Sequence, residues 1–280
     1  FDAAAIVWHT SPRAFDAAEP LKATSLSAVA VSATGTTLFG GDALGRVVSL
    51  RSDSRPIRPN LPAAAAPFFL LPVLDHNLNP NGAAEPVVVR AAAASPDGLT
   101  LIAATDRNAL VVWRVLRLPG GRMGLSAFAT PPPLVVAVPR PVYAMAVDPT
   151  GRWLATLDAE GVRLWDLREL PHAHAGAKGS VSPAGPGLIH SVSGARELVF
   201  SPAGDRLAVA VERGLRVIDL KGKQLADVFA AHDEPIEAVA FGGRAGECLA
   251  TADAAGVIRV WKLAGHKLMP QAVLEGHTGP

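Results

Sequence analysis

Short apolar runs alternate with polar turns along the whole chain, and one pattern recurs. Each copy has an apolar run, a turn with glycine, a second apolar run, an acidic turn, and a third run that often ends in tryptophan. The clearest copy spans residues 142–167. Short apolar runs bounded by Gly, Pro and Asp clusters predict β-strands, and no long stretch has helical periodicity. The pattern therefore predicts an almost entirely β protein.

The acidic residues of the recurring turn give the length of the repeat. They are Asp2, Asp42, Asp106, Asp158, Glu212 and Asp253. The first and last steps between them are 40 and 41 residues, and the three middle steps are 52 to 64 residues. Repeats of roughly 40–45 residues are typical of four-stranded propeller blades, which bury their apolar faces only by stacking on each other. The longer steps contain Gly- and Pro-rich insertions, which predict loops on a regular scaffold.

These repeats predict one all-β domain over residues 1–280, a propeller of four-stranded antiparallel blades. Its five full blades are expected at residues 26–83, 84–138, 139–193, 194–231 and 232–275. A partial blade is expected at 1–25, and the start of a further repeat at 276–280. Incomplete ends would leave strand edges uncovered. We therefore expect a ring of six or seven blades, completed by a longer chain, a divergent insertion or a partner.

The motifs inside the copies resemble those of the WD-repeat β-propeller family. Trp165-Asp166 matches the dipeptide that gives the family its name, and Gly276-His277 resembles the pair that opens a repeat. Ala231-His232-Asp233 is a weaker version of that opening pair. The resemblance covers essentially the whole chain. It implies structural, core-anchoring roles for the tryptophans at the shared blade position, which are Trp8, Trp113, Trp165 and Trp261.

The resemblance also implies a buried hydrogen-bond chain made of a His, a Ser or Thr, an Asp and the Trp. The candidate members are Asp2, in the partial blade, and His232, Thr251 and Trp261, in the last full blade. Six residues before Trp261, where the Asp is expected, the sequence has Ala255. We therefore expect an incomplete chain in this blade, with His232 or Thr251 bonded to water or backbone.

Composition and charge narrow the function classes. The chain has 26 basic and 25 acidic residues and no basic stripe, so a direct nucleic-acid footprint is not expected. No apolar run approaches the length of about 18 residues that a membrane span needs, so membrane insertion is not expected. The single cysteine, Cys248, excludes an internal disulfide and fits a reducing compartment. We expect an intracellular protein, cytoplasmic or nuclear.

Motifs for catalysis are absent from the sequence. It contains no G-x-S-x-G elbow, phosphate-binding loop or H-E-x-x-H motif. The first strands of the blades, at 26–31, 142–147 and 236–241, begin with apolar or small residues, which leave little for chemistry in a central channel. We therefore expect no enzymatic activity, no cofactor and no metal. A propeller enzyme is the least favoured alternative.

The function that the sequence favours is a non-enzymatic scaffold for protein–protein interaction. Binding groups concentrate on loops held by rigid strands, and turns need no charge in order to fold. The candidate protein-binding residues are therefore the polar turn residues Arg107, Asn108, Glu160, Arg213, Asp233 and Glu234. The resemblance implies a subunit or assembly platform whose partners are other proteins of a larger complex. The alternative is a sensor or regulatory module of a multidomain signalling protein with further domains on its own longer chain.

Overall fold

Five four-stranded antiparallel sheets make up the structure, a computed structural model. It describes residues 26–31, 37–42, 46–51, 69–72, 87–114, 116–117, 123–124, 133–170, 187–243 and 245–275. No helix occurs within these ranges. The prediction of an all-β fold built from four-stranded antiparallel units is confirmed. Asp2, Trp8, the partial blade at 1–25 and the repeat start at 276–280 lie outside the described residues.

The strands of each sheet follow one another along the chain, except that a short hairpin interrupts the second sheet, and we call the sheets blades 1 to 5. Blade 1 contains β1 (Leu26–Val31), β2 (Thr37–Asp42), β3 (Arg46–Arg51) and β4 (Phe69–Pro72). Blade 2 contains β5 (Val89–Ala94), β6 (Thr100–Thr105), β7 (Ala109–Arg114) and β10 (Leu134–Ala137). A separate hairpin of β8 (Leu116–Arg117) and β9 (Met123–Gly124) is inserted before β10.

The remaining three blades repeat the same antiparallel order. Blade 3 contains β11 (Ala144–Val147), β12 (Trp153–Leu157), β13 (Gly161–Asp166) and β14 (Gly187–Ser191). Blade 4 contains β15 (Ala195–Phe200), β16 (Arg206–Val211), β17 (Gly214–Asp219) and β18 (Gln224–Val228). Blade 5 contains β19 (Ile236–Gly242), β20 (Cys248–Asp253), β21 (Ile258–Ala264) and β22 (Lys267–Leu274).

The blades stand side by side around a common axis. The first strands of successive blades are neighbours, in the order β1, β5, β11, β15 and β19. The core lies between the blades: Leu110 and Val112 of blade 2 belong to one buried cluster with Leu154 and Trp165 of blade 3. Strand β16 is covered on both faces, which explains its continuous apolar sequence RLAVAV. Each blade is therefore stabilised by burial against its neighbours.

The tryptophans at the end of the third strands are buried, as core anchors should be. Trp113, Trp165 and Trp261 are exposed by 6%, 4% and 4%. The ring of Trp113 meets Phe39 of blade 1 edge to face, with 5.8 Å between centroids and 61° between planes. This geometry is favourable for aromatic pairs, so Trp113 contributes to the contact between blades 1 and 2.

The turns between the first and second strands pack against one another from blade to blade. In each, the carbonyl of the first residue accepts from the fourth residue's N–H, and the fourth residue is Gly98, Gly151 or Gly204. Gly151 and Gly204 both have φ of +72°, a conformation that favours glycine. A Cβ on Gly151 would lie 3.5 Å from Pro96 Cδ, and one on Gly204 would lie 3.3 Å from Pro149 Cδ. The prolines of the blade 2 and blade 3 turns therefore lie directly beside the glycines of the blade 3 and blade 4 turns. We call this end of the blades the bottom face.

A complete hydrogen-bond chain is buried in blade 5, so the expectation of a missing acidic member was wrong. His232 Nδ1 donates to Asp253 Oδ2 at 2.9 Å, and Thr251 Oγ1 donates to His232 Nε2 at 2.6 Å. Trp261 Nε1 donates to Thr251 Oγ1 at 2.8 Å. A carboxylate only accepts, which assigns the imidazole proton to Nδ1. Asp253, the last residue of β20, supplies the carboxylate, because the following turn places it further from Trp261 in sequence than the expected offset.

The Asp253 carboxylate also organises its own turn. Its Oδ1 accepts from the N–H groups of Ala255 and Val257, at 3.0 and 2.9 Å. Burial alone would raise the pKa of Asp253, but the hydrogen bonds from Val257 and His232 outweigh it and hold that pKa below its ordinary value. Blade 3 has only part of this arrangement. Trp165 Nε1 donates to Thr156 Oγ1 at 2.9 Å, while Asp158 pairs with Arg163 at 2.6 Å.

Candidate functional site

The end of the blades opposite the bottom face carries the turns between second and third strands and the starts of the first strands. We call this end the top face. Its turns are Asp106–Asn108, Asp158–Glu160, Glu212–Arg213 and Ala254–Gly256, and antiparallel pairing places them all at one end. All six of the predicted protein-binding residues lie in these turns or in the segment 229–235 that leads into β19. The structure therefore brings them to one face.

Beside these turns, the first strands of blades 1, 2, 4 and 5 have an irregular register at their top ends. The register is interrupted between Val89 and Ala91, between Ala195 and Glu197, and between Ile236 and Ala238. The extra residues are Arg90, Arg196 and Glu237, and all three are exposed. In blade 3 the matching place is Tyr143, directly before β11, which is 48% exposed. Bulges re-aim side chains and are common next to functional sites.

Three bulge residues and Tyr143 place polar side chains at the starts of first strands, where the sequence predicted apolar or small residues. A bulge residue falls outside the two-residue alternation of its strand, so the apolar pattern did not reveal it. A signal was nevertheless present in the sequence. Arg90, Arg196 and Glu237 each stand 16 residues before an acidic turn residue, namely Asp106, Glu212 and Asp253.

Two of the predicted binding residues are held in ion pairs. Glu160 pairs with Arg140, which precedes β11, and with Arg163 of its own blade. The Glu160 carboxylate raises the pKa of Arg140. Asp233 Oδ2 lies 3.3 Å from Arg259 Nη2, although its side chain is 95% exposed. Both carboxylates are therefore already paired with arginines, and a binding partner must compete with those arginines for them.

Two other predicted residues hold the connections between blades through their backbones. The Asn108 carbonyl accepts from Val138 N–H at 2.8 Å, and Asn108 itself has φ of +54°. The Arg213 carbonyl accepts from the N–H groups of Ala231 and His232, at 2.9 and 3.0 Å. Their side chains, like that of Arg107, are exposed. The backbones of Asn108 and Arg213 therefore stabilise the connections between blades, while their side chains face solvent.

Side chains without an ionic partner are the ones best placed for recognition. Within the described part of the chain, Arg90, Arg213 and Glu234 are exposed and form no ion pair. Phe229, at the end of β18, is 85% exposed, and sequence reasoning missed it because an isolated phenylalanine after a strand gives no pattern. Aromatic and arginine side chains carry much of the energy in protein interfaces.

A charge pair joins the inner ends of blades 4 and 5 on this face. Arg196 Nη1 lies 2.9 Å from Glu237 Oε1, with both side chains about half exposed. Next to it, burial raises the pKa of Glu197, which accepts one hydrogen bond from Leu198 N–H at 3.2 Å.

Among the described residues, no three His, Cys, Asp or Glu side chains gather as metal ligands, and no helix is long and apolar enough to cross a bilayer.

Comparison with known proteins gives one kind of match. No protein-family model matches the chain, and no curated protein does. Among solved structures, the chain is similar to the β-propeller domain of Cps50 (Swd1) from Myceliophteria thermophila. The TM-score is 0.58 at 14% identity, over 91% of this chain and 73% of that chain. This chain has the fold of a β-propeller. At this identity the likeness shows the fold alone, so membership of the WD-repeat family stays a prediction from the motifs.

Proposed function

We propose that this β-propeller is a non-enzymatic scaffold that binds other proteins through its top face. The observation that carries the proposal is the set of exposed side chains on that face: Tyr143, Phe229, Arg90, Arg213 and Glu234. They stand at strand ends or in tight turns of a rigid scaffold, which reduces the conformational entropy lost on binding.

Three carboxylates of the top face are held in ion pairs, an arrangement that supports charge-based recognition. Glu160, Asp233 and Glu237 each face an arginine at ion-pair distance. We further propose that the protein acts inside the cell, as a WD-repeat subunit or assembly platform of a larger complex.

The test is affinity purification of the tagged protein from its own cells, with nuclease treatment and mass spectrometry. The variant is the double substitution Arg213→Glu and Phe229→Asp on the top face. The control is Lys221→Glu, which reverses a charge at the bottom end of the same blade. We expect stoichiometric partner proteins with the wild type and the control and a clear loss with the top-face variant. A protein that purifies alone, or a loss that is equal in variant and control, would contradict the proposal.

A further inference from the structure

A pocket of about 270 Å³ opens on the top face, between the inner ends of blades 2 and 3. The described residues that line it are Val88, Val89, Arg90 and Tyr143. Val89 is fully buried and Tyr143 is 48% exposed, so the pocket has an apolar base and a polar rim. Val88 is fixed on both sides, since its carbonyl accepts from Asp106 N–H at 3.0 Å and its N–H donates to Asp106 Oδ1 at 3.1 Å.

The internal repeat indicates what an arginine at this position binds. Arg90 and Arg196 are the bulge residues of β5 and β15, in equivalent register. Arg196 donates to Glu237, the bulge residue of the next blade, at 2.9 Å. The next blade after Arg90 instead places Tyr143 at that point. Arg90 consequently lacks the carboxylate that its equivalent has, and within the described part of the chain its side chain forms no ion pair or hydrogen bond.

We propose that the pocket binds the carboxylate of an Asp or Glu side chain in an acidic segment of the partner protein. Arg90 takes that carboxylate as Arg196 takes Glu237, and the Tyr143 hydroxyl is a second donor. The methylene groups of the bound side chain lie against Val88 and Val89. This inference rests on the proposed function and names the partner chemistry of the top face.

The chemistry of the pocket favours a carboxylate over a phosphate group. A phosphate monoester carries a charge of about −1.5 to −2 and is usually met by several cationic groups. Among the described residues that line the pocket, Arg90 is the one cation. A single guanidinium fork matches a single carboxylate in both charge and shape.

The experiment uses short random peptides displayed on phage and selected against the immobilised wild-type protein. We expect the selected peptides to share an Asp or Glu at one position. The tightest peptide, made synthetically, should bind the Arg90→Glu variant at least about tenfold more weakly, because a charge-assisted hydrogen bond is replaced by repulsion. Lys221→Glu, at the bottom end, should leave its affinity within about twofold, since screening removes distant charge effects.

A double-mutant cycle separates the pocket from general electrostatics. The shared acidic residue of the peptide is changed to Gln, and both peptides are measured against wild type and the milder Arg90→Gln variant. We expect each single change to weaken binding and the second change to add little, because the two groups bond to each other. Circular dichroism of both Arg90 variants verifies that they fold.

Three results would overturn the inference: no shared acidic residue, no peptide that binds wild type, or fully additive losses in the cycle. Peptides that bind wild type, tolerate Arg90→Gln and are lost with Arg213→Glu would separate the two proposals. In that case the top face would remain a docking surface, and the pocket between Arg90 and Tyr143 would not be its acidic-residue site.

Discussion

Replacing Thr251 by valine should destabilise the protein much more than the same replacement at Thr156. Both side chains are 1% exposed, and both hydroxyls accept a hydrogen bond from the tryptophan of their own blade. Thr251 Oγ1 also donates a hydrogen bond to His232 Nε2, at 2.6 Å. Valine keeps the shape and removes the oxygen. Thr251→Val therefore leaves two buried polar groups without a partner, whereas Thr156→Val leaves one.

The magnitude follows from the cost of those unpaired groups. A buried donor or acceptor that loses its partner costs about 1–3 kcal/mol. We expect a loss of about 2–4 kcal/mol for Thr251→Val and about 1–2 kcal/mol for Thr156→Val, with a difference of at least about 1 kcal/mol. The measurement is urea unfolding followed by tryptophan fluorescence and far-UV circular dichroism. Equal losses in the two variants would refute a special role for the His232–Asp253 part of the chain.

Two further substitutions test the bottom face and a buried carboxyl. Gly204 has a φ of +72°, and the new Cβ of Gly204→Ala would lie 3.3 Å from Pro149 Cδ. The control is Gly265→Ala, where φ is +59° and no atom lies within 4 Å of the new Cβ. The urea midpoint of unfolding should therefore fall further for Gly204→Ala than for Gly265→Ala. The left-handed conformation alone costs about 1–2 kcal/mol, and equal midpoints would exclude a contribution from the turn contact. Burial raises the pKa of Glu197 above 4.5, so the stability linked to it is complete below that pH and is lost as pH rises through the folded-state pKa. Glu197→Gln should therefore unfold at higher urea near neutral pH, and parallel pH profiles for the two proteins would contradict this.

The repeat was readable from the sequence because strand, turn and core requirements recur in every copy. Apolar runs such as RLAVAV predict a strand that is buried on both faces, as β16 is. The Ser-Pro-Asp-Gly and Asp-Pro-Thr-Gly sequences predict turns with a left-handed glycine, as observed at Gly98 and Gly151. The tryptophan positions followed from the same periodicity.

The details of the candidate site were harder to predict from the sequence, for physical reasons that differ from residue to residue. Asp253 was missed as the partner of His232 because a fixed sequence offset does not allow for turns of different length. Arg90 was missed because a bulge takes a residue out of the strand alternation, and Tyr143 because it precedes its strand. The ion pair between Glu160 and Arg140 was also missed, because Arg140 lies 20 residues earlier and meets Glu160 only in the folded blade.

The inserted hairpin β8–β9 shows that a blade tolerates a long insertion between its third and fourth strands. Strand β10 still pairs with β7 residue for residue, from Leu134 opposite Val112 to Ala137 opposite Ala109. Connections between third and fourth strands range from two residues (265–266) to twenty (167–186). Closing a tenfold longer loop costs only about 2 kcal/mol, because the entropy grows with the logarithm of length. The strand ends that these connections join lie at the bottom end, so an affinity tag or a fluorescent reporter inserted there would leave the opposite end free to receive a partner.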